Sequence, residues 1–148
     1  MRTVRVIRSG PLLTLQDAGR PGFRRFGVPV SGPMDRRSAV LANRVAGNSD
    51  DAAVLEATLL GPVLAFDSEA VVAVTGAVCQ VGLNGCAVPR GAAVHVPSGG
   101  TLEIGAAERG SRIYIAFRGG FVSREVLGSA ASAPGIGFGS PAVRAGAT

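Results

Sequence analysis

The chain has 148 residues, of which 47% are hydrophobic, so it is long enough to form one domain with its own core. This hydrophobic fraction excludes an intrinsically disordered chain. All fifteen basic residues are Arg and the formal net charge is +5, but Lys is absent and aromatic residues make up only 5%. Proteins that bind nucleic acids usually combine Lys and Arg with stacking aromatic residues, so the composition disfavours a nucleic-acid partner.

The positive charge is concentrated in the first third of the chain. Residues 1–50 contain nine Arg and three acidic residues, whereas the remainder contains six Arg and seven acidic residues. Arg can bind carboxylates and phosphates through two parallel hydrogen bonds, so this third could bind a small anion.

Two cysteines do not form a disulfide framework, and residues 1–10 lack the apolar segment of a secretory signal. No apolar run reaches the ~18–20 residues of a membrane span, so we expect a cytoplasmic protein with reduced thiols and no membrane partner.

The N-terminal third predicts one strand and the main helix. Val and Arg alternate over residues 3–8, which is typical of a half-buried strand, and a short apolar stretch follows at 12–15. Residues 36–46 predict the helix, because good helix formers lie between Asp35, a suitable N-cap, and Gly47, which can end the helix in the left-handed region.

The remainder of the chain predicts short strands separated by turns. Asn84-Gly85 lies between two apolar strands and predicts a two-residue hairpin, because both turn residues of such a hairpin take positive φ. Leu83 would then face Cys86, so Cys86 would not pair with Cys79. Residues 130–148 are small and rich in Gly and Pro, which predicts a tail or a loosely packed strap. The pattern indicates a mostly-β fold, either a barrel or a sandwich, with further strands at 53–59, 63–67, 70–75, 78–82, 86–89, 92–96, 101–104 and 111–117.

The segment 16–35 is the candidate site that the residues themselves indicate. It contains repeated Gly and Pro without a hydrophobic period, and loops of this length are usually functional. Glycine lets the backbone approach a ligand closely, Gln16 and Asp17 could orient an amide, and Arg20 could bind a carboxylate. The alternative is a structural strap in which Arg20 pairs with Asp17 and Asp35 only caps the helix.

Common catalytic and cofactor motifs are absent from the sequence. There is no phosphate-binding Gly-x-Gly-x-x-Gly segment, no P-loop and no nucleophile elbow. His95 is the single histidine and lies in an alternating Val-His-Val segment, which is more typical of a strand residue than of a metal ligand. We therefore expect no metal site and no covalent nucleophile.

Several longer segments carry a family resemblance. They are TLQDAGRPGFRRFGVPVSGPMDRRSAVLANRVAGN (14–48), LEATLLGPVLAF (55–66), VTGA (74–77), SRIYIAFRGGF (111–121) and VLGS (126–129). Together and in this order they resemble the family of the 5-oxoprolinase C subunit, which is also described as allophanate hydrolase subunit 2, biotin-dependent carboxyltransferase or the KipI antagonist KipA.

The resemblance implies a cyclophilin-like β-barrel with one main α-helix, formed by a module at 1–129 and followed by a Gly/Pro/Ala-rich tail at 130–148. It also implies that the chain is a hydrolase subunit that needs partners. Together with the A subunits and the KipI-like B subunits of the 5-oxoprolinase system, family members are associated with ATP-dependent opening of 5-oxoproline to glutamate. A related module of urea carboxylase transfers a carboxyl group from carboxybiotin to urea. The alternative within the family is a non-catalytic regulatory binding module of the KipI-antagonist type.

The resemblance also implies that this chain alone binds no cofactor, that the complex uses ATP, and that biotin serves the carboxyltransferase relatives. The resemblance covers the first module only, so we expect the second module of the family to be absent, and Ala130–Pro134 stands where the family has a polar stretch. A second chain, or self-association into a homo-oligomer, would then complete a site between modules.

Residue by residue, the resemblance implies catalytic roles for Asp17, Arg20 and Ser31. Arg20 would hold a carboxylate or a phosphorylated intermediate of a small amide substrate, and water would attack after activation by a partner's ATP chemistry. Substrate-binding roles are implied for Gln16, Pro29, Gly32, Asp35, Asn43, Asn48, Glu56, Thr58, Thr75, Gly76, Arg112 and Tyr114.

Overall fold

The computed structural model describes residues 3–148, so the first two residues of the predicted module 1–129 lie outside the described residues. The strands and the helix in chain order are β1 (Val4–Arg8), β2 (Leu12–Gln16), α1 (Arg36–Ala46), β3 (Val54–Thr58), β4 (Val63–Phe66), β5 (Ala70–Val78), β6 (Val81–Leu83), β7 (Cys86–Ala87), β8 (Ala93–Val96), β9 (Thr101–Ile104) and β10 (Arg109–Phe117). Single turns of 3-10 helix lie at Arg24–Phe26 and Pro134–Ile136.

The strands form two antiparallel sheets that share one core. The first sheet has the order β1-β4-β9-β6-β7 and the second has the order β2-β3-β10-β5-β8. Inward side chains of both sheets belong to one buried cluster, and Phe66 of the first sheet lies 5.9 Å from Phe117 of the second, ring centre to ring centre. Burial of this apolar surface is the main term that holds the sheets together.

The helix α1 covers the outer face of the second sheet. Ala39, Ala42 and Ala46 pack on β3, β5 and β10, and these small side chains let the helix approach the sheet closely. The Asp35 carboxylate accepts a hydrogen bond from the Ser38 N–H at 3.1 Å, and Gly47 has a φ of +85°. Both ends of the helix are therefore capped as predicted.

The mostly-β fold with one main helix is confirmed. The closed cyclophilin-like barrel is not confirmed, because each sheet of the described residues has an open strand order with two edge strands. The barrel implied by the resemblance stays a prediction. No helix in residues 3–148 is long and apolar enough to span a membrane.

The hairpin and the cysteines follow the sequence predictions. Asn84 and Gly85 have φ values of +51° and +81°, and Leu83 pairs with Cys86. Both cysteines are free. His95 lies on the exposed face of β8, as expected for an alternating strand residue.

One strand boundary of the sequence analysis is wrong. The predicted strands 70–75 and 78–82 are replaced by the longer β5 and by β6, since β5 continues through Gly76. Gly76 has a φ of +86°, and a Cβ there would lie 2.4 Å from the carbonyl oxygen of Arg112. The strand continues because glycine alone fits this close approach between β5 and β10.

The C-terminal segment contacts the edges of both sheets. Ala130, Ala131 and Ser132 are buried. The Val143 N–H donates to the Leu13 carbonyl of β2 at 2.8 Å, and the Ala147 carbonyl accepts from the Val6 N–H of β1 at 2.9 Å. Residues 130–147 thus run along the side of the molecule where β1 and β2 form the sheet edges.

Candidate functional site

The predicted site residues fall into two groups on either side of the N-terminus of α1. The first group surrounds the loop between β2 and α1. The Gln16 side chain donates to the Ser132 carbonyl at 3.2 Å and accepts from the Gly32 N–H at 3.1 Å. The Asp17 carboxylate accepts from the Ser129 hydroxyl and the Ala130 N–H, both at 2.6 Å. These polar groups join the loop to residues 129–132.

Arg20 is the largest fully buried side chain, with 1% of its surface exposed. Its guanidinium donates to the carbonyls of Val126, Ser129 and Ala131, the last at 2.6 Å, and to the Ser31 hydroxyl at 3.1 Å. These are contacts within the chain, as in the strap alternative, although the predicted Arg20–Asp17 ion pair is not among the ion pairs of the described residues. The predicted role of Arg20 in holding a substrate stays a prediction.

Ser31 is held in an unusual backbone conformation. Its φ is +60°, and the following Gly32 has a φ of +99°. A left-handed non-glycine residue is strained, and the hydrogen bond from Arg20 stabilises it. Pro29 lies half-buried in the same loop.

A small cavity of about 160 Å³ lies beside this loop and α1. Gln16, Asp17, Ser31, Gly32 and Asn43 contribute to its walls.

Asn43 and Asn48 link α1 to the neighbouring turns. Asn43 donates to the Ala52 carbonyl at 2.7 Å and accepts from the Asn48 amide, which also donates to the Phe117 carbonyl at 2.7 Å. Asn43 lies in the wall of the small cavity, whereas Asn48 does not.

The second group lies where β3 and β10 meet the segment before α1. The Glu56 carboxylate accepts from the Tyr114 hydroxyl at 2.8 Å and from the Met34 N–H at 2.7 Å. The Tyr114 hydroxyl in turn accepts from the Asp35 N–H at 2.7 Å. This chain of bonds attaches the start of α1 to the second sheet.

Arg112 lies at the edge of this network. One of its terminal nitrogens donates to the Thr58 hydroxyl, and its Nε lies 3.7 Å from Glu56 Oε1, too far for a hydrogen bond. This Nε is buried and has no hydrogen-bond partner in the described part of the chain. Thr75 donates to the Ser38 carbonyl at 2.7 Å, and Gly76 lies opposite the Arg112 carbonyl.

An open cleft of about 420 Å³ lies in front of the second group. Asp35, Gly76 and Arg112 line it, together with seven residues that sequence reasoning missed, among them Arg109, Ser111 and Met34. The available signal was Gly110 next to Arg109 at the start of a strand pattern, because glycine in a strand suggests a bulge.

Two ionisable groups near the start of α1 have shifted pKa values, the buried Tyr114 and Asp35 in the cleft wall. Burial raises the pKa of Tyr114, and its hydrogen bond to Glu56 acts in the same direction, so the hydroxyl serves as a proton donor rather than as a base. Hydrogen bonds from Ser38 hold the pKa of Asp35 below its usual value, so this carboxylate stays ionised at neutral pH. Among residues 3–148, no group of three His, Cys, Asp or Glu side chains could hold a metal ion.

Comparisons of the sequence and of the structure with known proteins find relatives of the same few types. The family model described as "Carboxyltransferase domain, subdomain A and B" matches residues 26–148. The chain is 41% identical over 127 residues to the urea amidolyase of Saccharomyces cerevisiae and 34% identical over 136 residues to the C subunit of 5-oxoprolinase from Escherichia coli. The crystal structure of the Kluyveromyces lactis urea amidolyase matches 97% of the chain with a TM-score of 0.91 and 37% identity.

The chain matches only part of each of these proteins. The alignment covers 85% of the chain but 7% of the S. cerevisiae protein, and 92% of the chain but 44% of the E. coli protein. The structural match covers 9% of the K. lactis chain.

Proposed function

Because the chain belongs to the family of the carboxyltransferase domain, subdomain A and B, we propose that it is one module of a multi-subunit system that processes small amides. The specific reaction that we propose is the ATP-dependent opening of 5-oxoproline to glutamate, with a urea-derived amide as the related substrate. The family membership supports this reaction, since relatives named as the C subunit of 5-oxoprolinase and as urea amidolyase both match most of the chain.

The observation that carries the proposal is the cluster of polar residues around the open cleft. Asp35, Ser111 and Arg112 line this cleft, and an amide substrate needs both donors and acceptors of this kind. Glu56 and Tyr114 are buried next to Arg112. The hydroxyl of Tyr114 keeps its proton, so we assign it to positioning Glu56 rather than to proton abstraction.

We assign the ATP chemistry to partner subunits. The sequence contains no phosphate-binding loop, and no side chain among those that line the cleft is an activated nucleophile. In this proposal the chain binds the amide in the cytoplasm while the A subunits and the KipI-like B subunits activate it. Biotin would serve only a carboxyltransferase version of the reaction. The chain spans 44% of the E. coli protein, and in the assembly that we propose the rest of that protein has a counterpart in a further module or in a second copy of the chain.

The test is reconstitution with the purified A and B subunits of the E. coli enzyme. We expect ATP-dependent formation of glutamate from 5-oxoproline when the mixture contains both this chain and the C-terminal remainder of the E. coli C subunit. Omitting this chain is the control. Turnover that does not depend on this chain would overturn the proposal, and stable binding to the B subunit without turnover would support the regulatory alternative instead.

A further inference from the structure

A bulge in β10 forms one wall of the cleft. Arg109 pairs with Val78 and Ile113 pairs with Gly76, so three residues of β10 lie opposite Ala77 alone. Gly110 has a φ of +84°, which lets the strand bend at this point. The bulge displaces this part of β10 from its partner, and bulges of this kind are frequent beside functional sites.

The cations of the cleft have unused capacity for hydrogen bonds. Arg112 donates one hydrogen bond, to Thr58, and its buried Nε has no partner in the described residues. Arg109 is exposed and forms no ion pair within residues 3–148. The Nε of Arg112 faces the Glu56 carboxylate at 3.7 Å, so the nitrogens that remain free for a ligand are the second terminal nitrogen of Arg112 and those of Arg109. Charged donors beside an open cleft are candidates for binding an anionic ligand.

The acidic groups near the cleft are already engaged. Both oxygens of Asp35 accept hydrogen bonds from Ser38, at 3.1 and 2.5 Å. Glu56 does not line the cleft: its Oε2 accepts from Met34 and Tyr114, and its Oε1 lies 3.7 Å from Arg112 Nε. The free hydrogen-bonding capacity of the cleft is therefore cationic.

We propose that the cleft binds a small amide through its carboxylate group, with the guanidinium groups of Arg109 and Arg112 as the binding groups. A carboxylate supplies the acceptors that these two side chains lack, and a planar guanidinium can bind it through two parallel hydrogen bonds. Met34 and Val78 provide apolar surface for the rest of the ligand, and 420 Å³ lies within the usual range of ligand pockets, about 300–1,000 Å³. This inference rests on the proposed function and selects 5-oxoproline, which has a carboxylate, over urea, which has none.

The first experiment compares two ligands by isothermal titration of the full chain at low salt. The probes are 5-oxoproline and 2-pyrrolidinone, which has the same lactam ring without the carboxylate. We expect 5-oxoproline to bind at least roughly tenfold more tightly, because hydrogen bonds between charged groups supply most of the discrimination. Equal affinities would overturn the proposal, and so would tighter binding of inorganic phosphate than of 5-oxoproline.

The second experiment uses variants of the exposed arginine. We expect Arg109→Gln to weaken 5-oxoproline binding roughly ten- to hundredfold and Arg109→Lys to recover part of the loss, since Lys keeps the charge but not the planar fork. Arg24→Gln is the matched control, because Arg24 is an exposed arginine outside the cleft. An unchanged affinity in Arg109→Gln with an unchanged melting temperature would overturn the proposal.

The two proposals fail in different ways. Binding of 5-oxoproline that depends on Arg109, without glutamate formation in the reconstituted mixture, would support the cleft and overturn the enzymatic function. Glutamate formation with an unchanged KM in Arg109→Gln would support the function and overturn the cleft as the substrate site.

Discussion

The loop between β2 and α1 and the cleft at the β10 bulge contain similar polar side chains, yet these side chains have different partners. Arg20 is buried and donates four hydrogen bonds to the chain itself, whereas Arg112 donates one and pairs with Glu56, and Arg109 has no ion-pair partner in the described residues. Arginines with satisfied donors stabilise the fold, and arginines with unsatisfied donors are candidates for ligand binding. The comparison predicts that variants in the loop change stability and that variants in the cleft change affinity.

The largest expected effect is that of Arg20→Ala. The substitution leaves three carbonyl groups and the Ser31 hydroxyl without their donor in a buried site, so we expect a loss of about 3–5 kcal/mol in the free energy of unfolding. Urea denaturation of the variant and of the unchanged chain measures this difference in the free energy of unfolding. The exposed control Arg24→Ala should change stability by less than ~0.5 kcal/mol. Equal unfolding midpoints for the two variants would mean that the buried hydrogen bonds of Arg20 do not stabilise the fold.

Gly139→Ala tests the packing around the buried hydrogen bond between Arg20 and the Ala131 carbonyl. A Cβ at Gly139 would lie 2.1 Å from the Ala131 carbonyl oxygen and 3.0 Å from a terminal nitrogen of Arg20, and φ is +77°. Backbone strain and the clash together should cost about 2–4 kcal/mol. Gly135→Ala is the matched control, because nothing lies within 4 Å of its Cβ and its φ is not positive. Equal melting temperatures for the two variants would contradict the close packing of Gly139 against Ala131 and Arg20.

Tyr114→Phe tests the network behind the cleft. Removal of the hydroxyl deprives Glu56 of a donor and the Asp35 N–H of an acceptor in a buried place, so we expect a loss of about 1–3 kcal/mol. Ser98→Ala removes an exposed hydroxyl that donates to the Asp67 carbonyl and should cost less than ~0.5 kcal/mol. A stability loss in Ser98→Ala as large as in Tyr114→Phe would contradict the buried network. The 5-oxoproline affinity of folded Tyr114→Phe should fall by less than that of Arg109→Gln.

Local rules were sufficient for most of the fold. The caps Asp35 and Gly47 and the Asn84-Gly85 hairpin depend on interactions within a few residues, and the structure has them where they were predicted. The continuation of β5 through Gly76 was missed, because it depends on the approach of a strand that is distant in sequence.

The two candidate regions show the same limit. The sequence identified the polar residues of the loop, but it could not show that Asp17 and Arg20 bind residues 126–131, more than a hundred positions away. Arg109 was missed because only the pairing of β10 with β5 reveals the bulge beside it. Whether a polar side chain is satisfied or free depends on such distant contacts, and the residue type does not reveal it.

The smallest expected effect is the pH dependence of Asp35→Asn. Hydrogen bonds from Ser38 hold the pKa of Asp35 in the folded chain below the ordinary value of 3.8. Its contribution to stability is therefore present above about pH 3.8 and is lost as the pH falls further towards the folded pKa. Asn is a good N-cap without a titrating proton, so the variant should lose less than ~1 kcal/mol at about pH 6, and the difference should shrink by about pH 3.

Asp35→Asn also reports on the cleft, because Asp35 contributes to its wall. Loss of its negative charge removes repulsion of a bound carboxylate, so we expect 5-oxoproline to bind about two- to fivefold more tightly to the variant at neutral pH. Binding of 2-pyrrolidinone should not change, since that ligand has no charge. Unchanged or weaker binding of 5-oxoproline to Asp35→Asn would contradict this repulsion and would mean that the carboxylate does not bind beside Asp35.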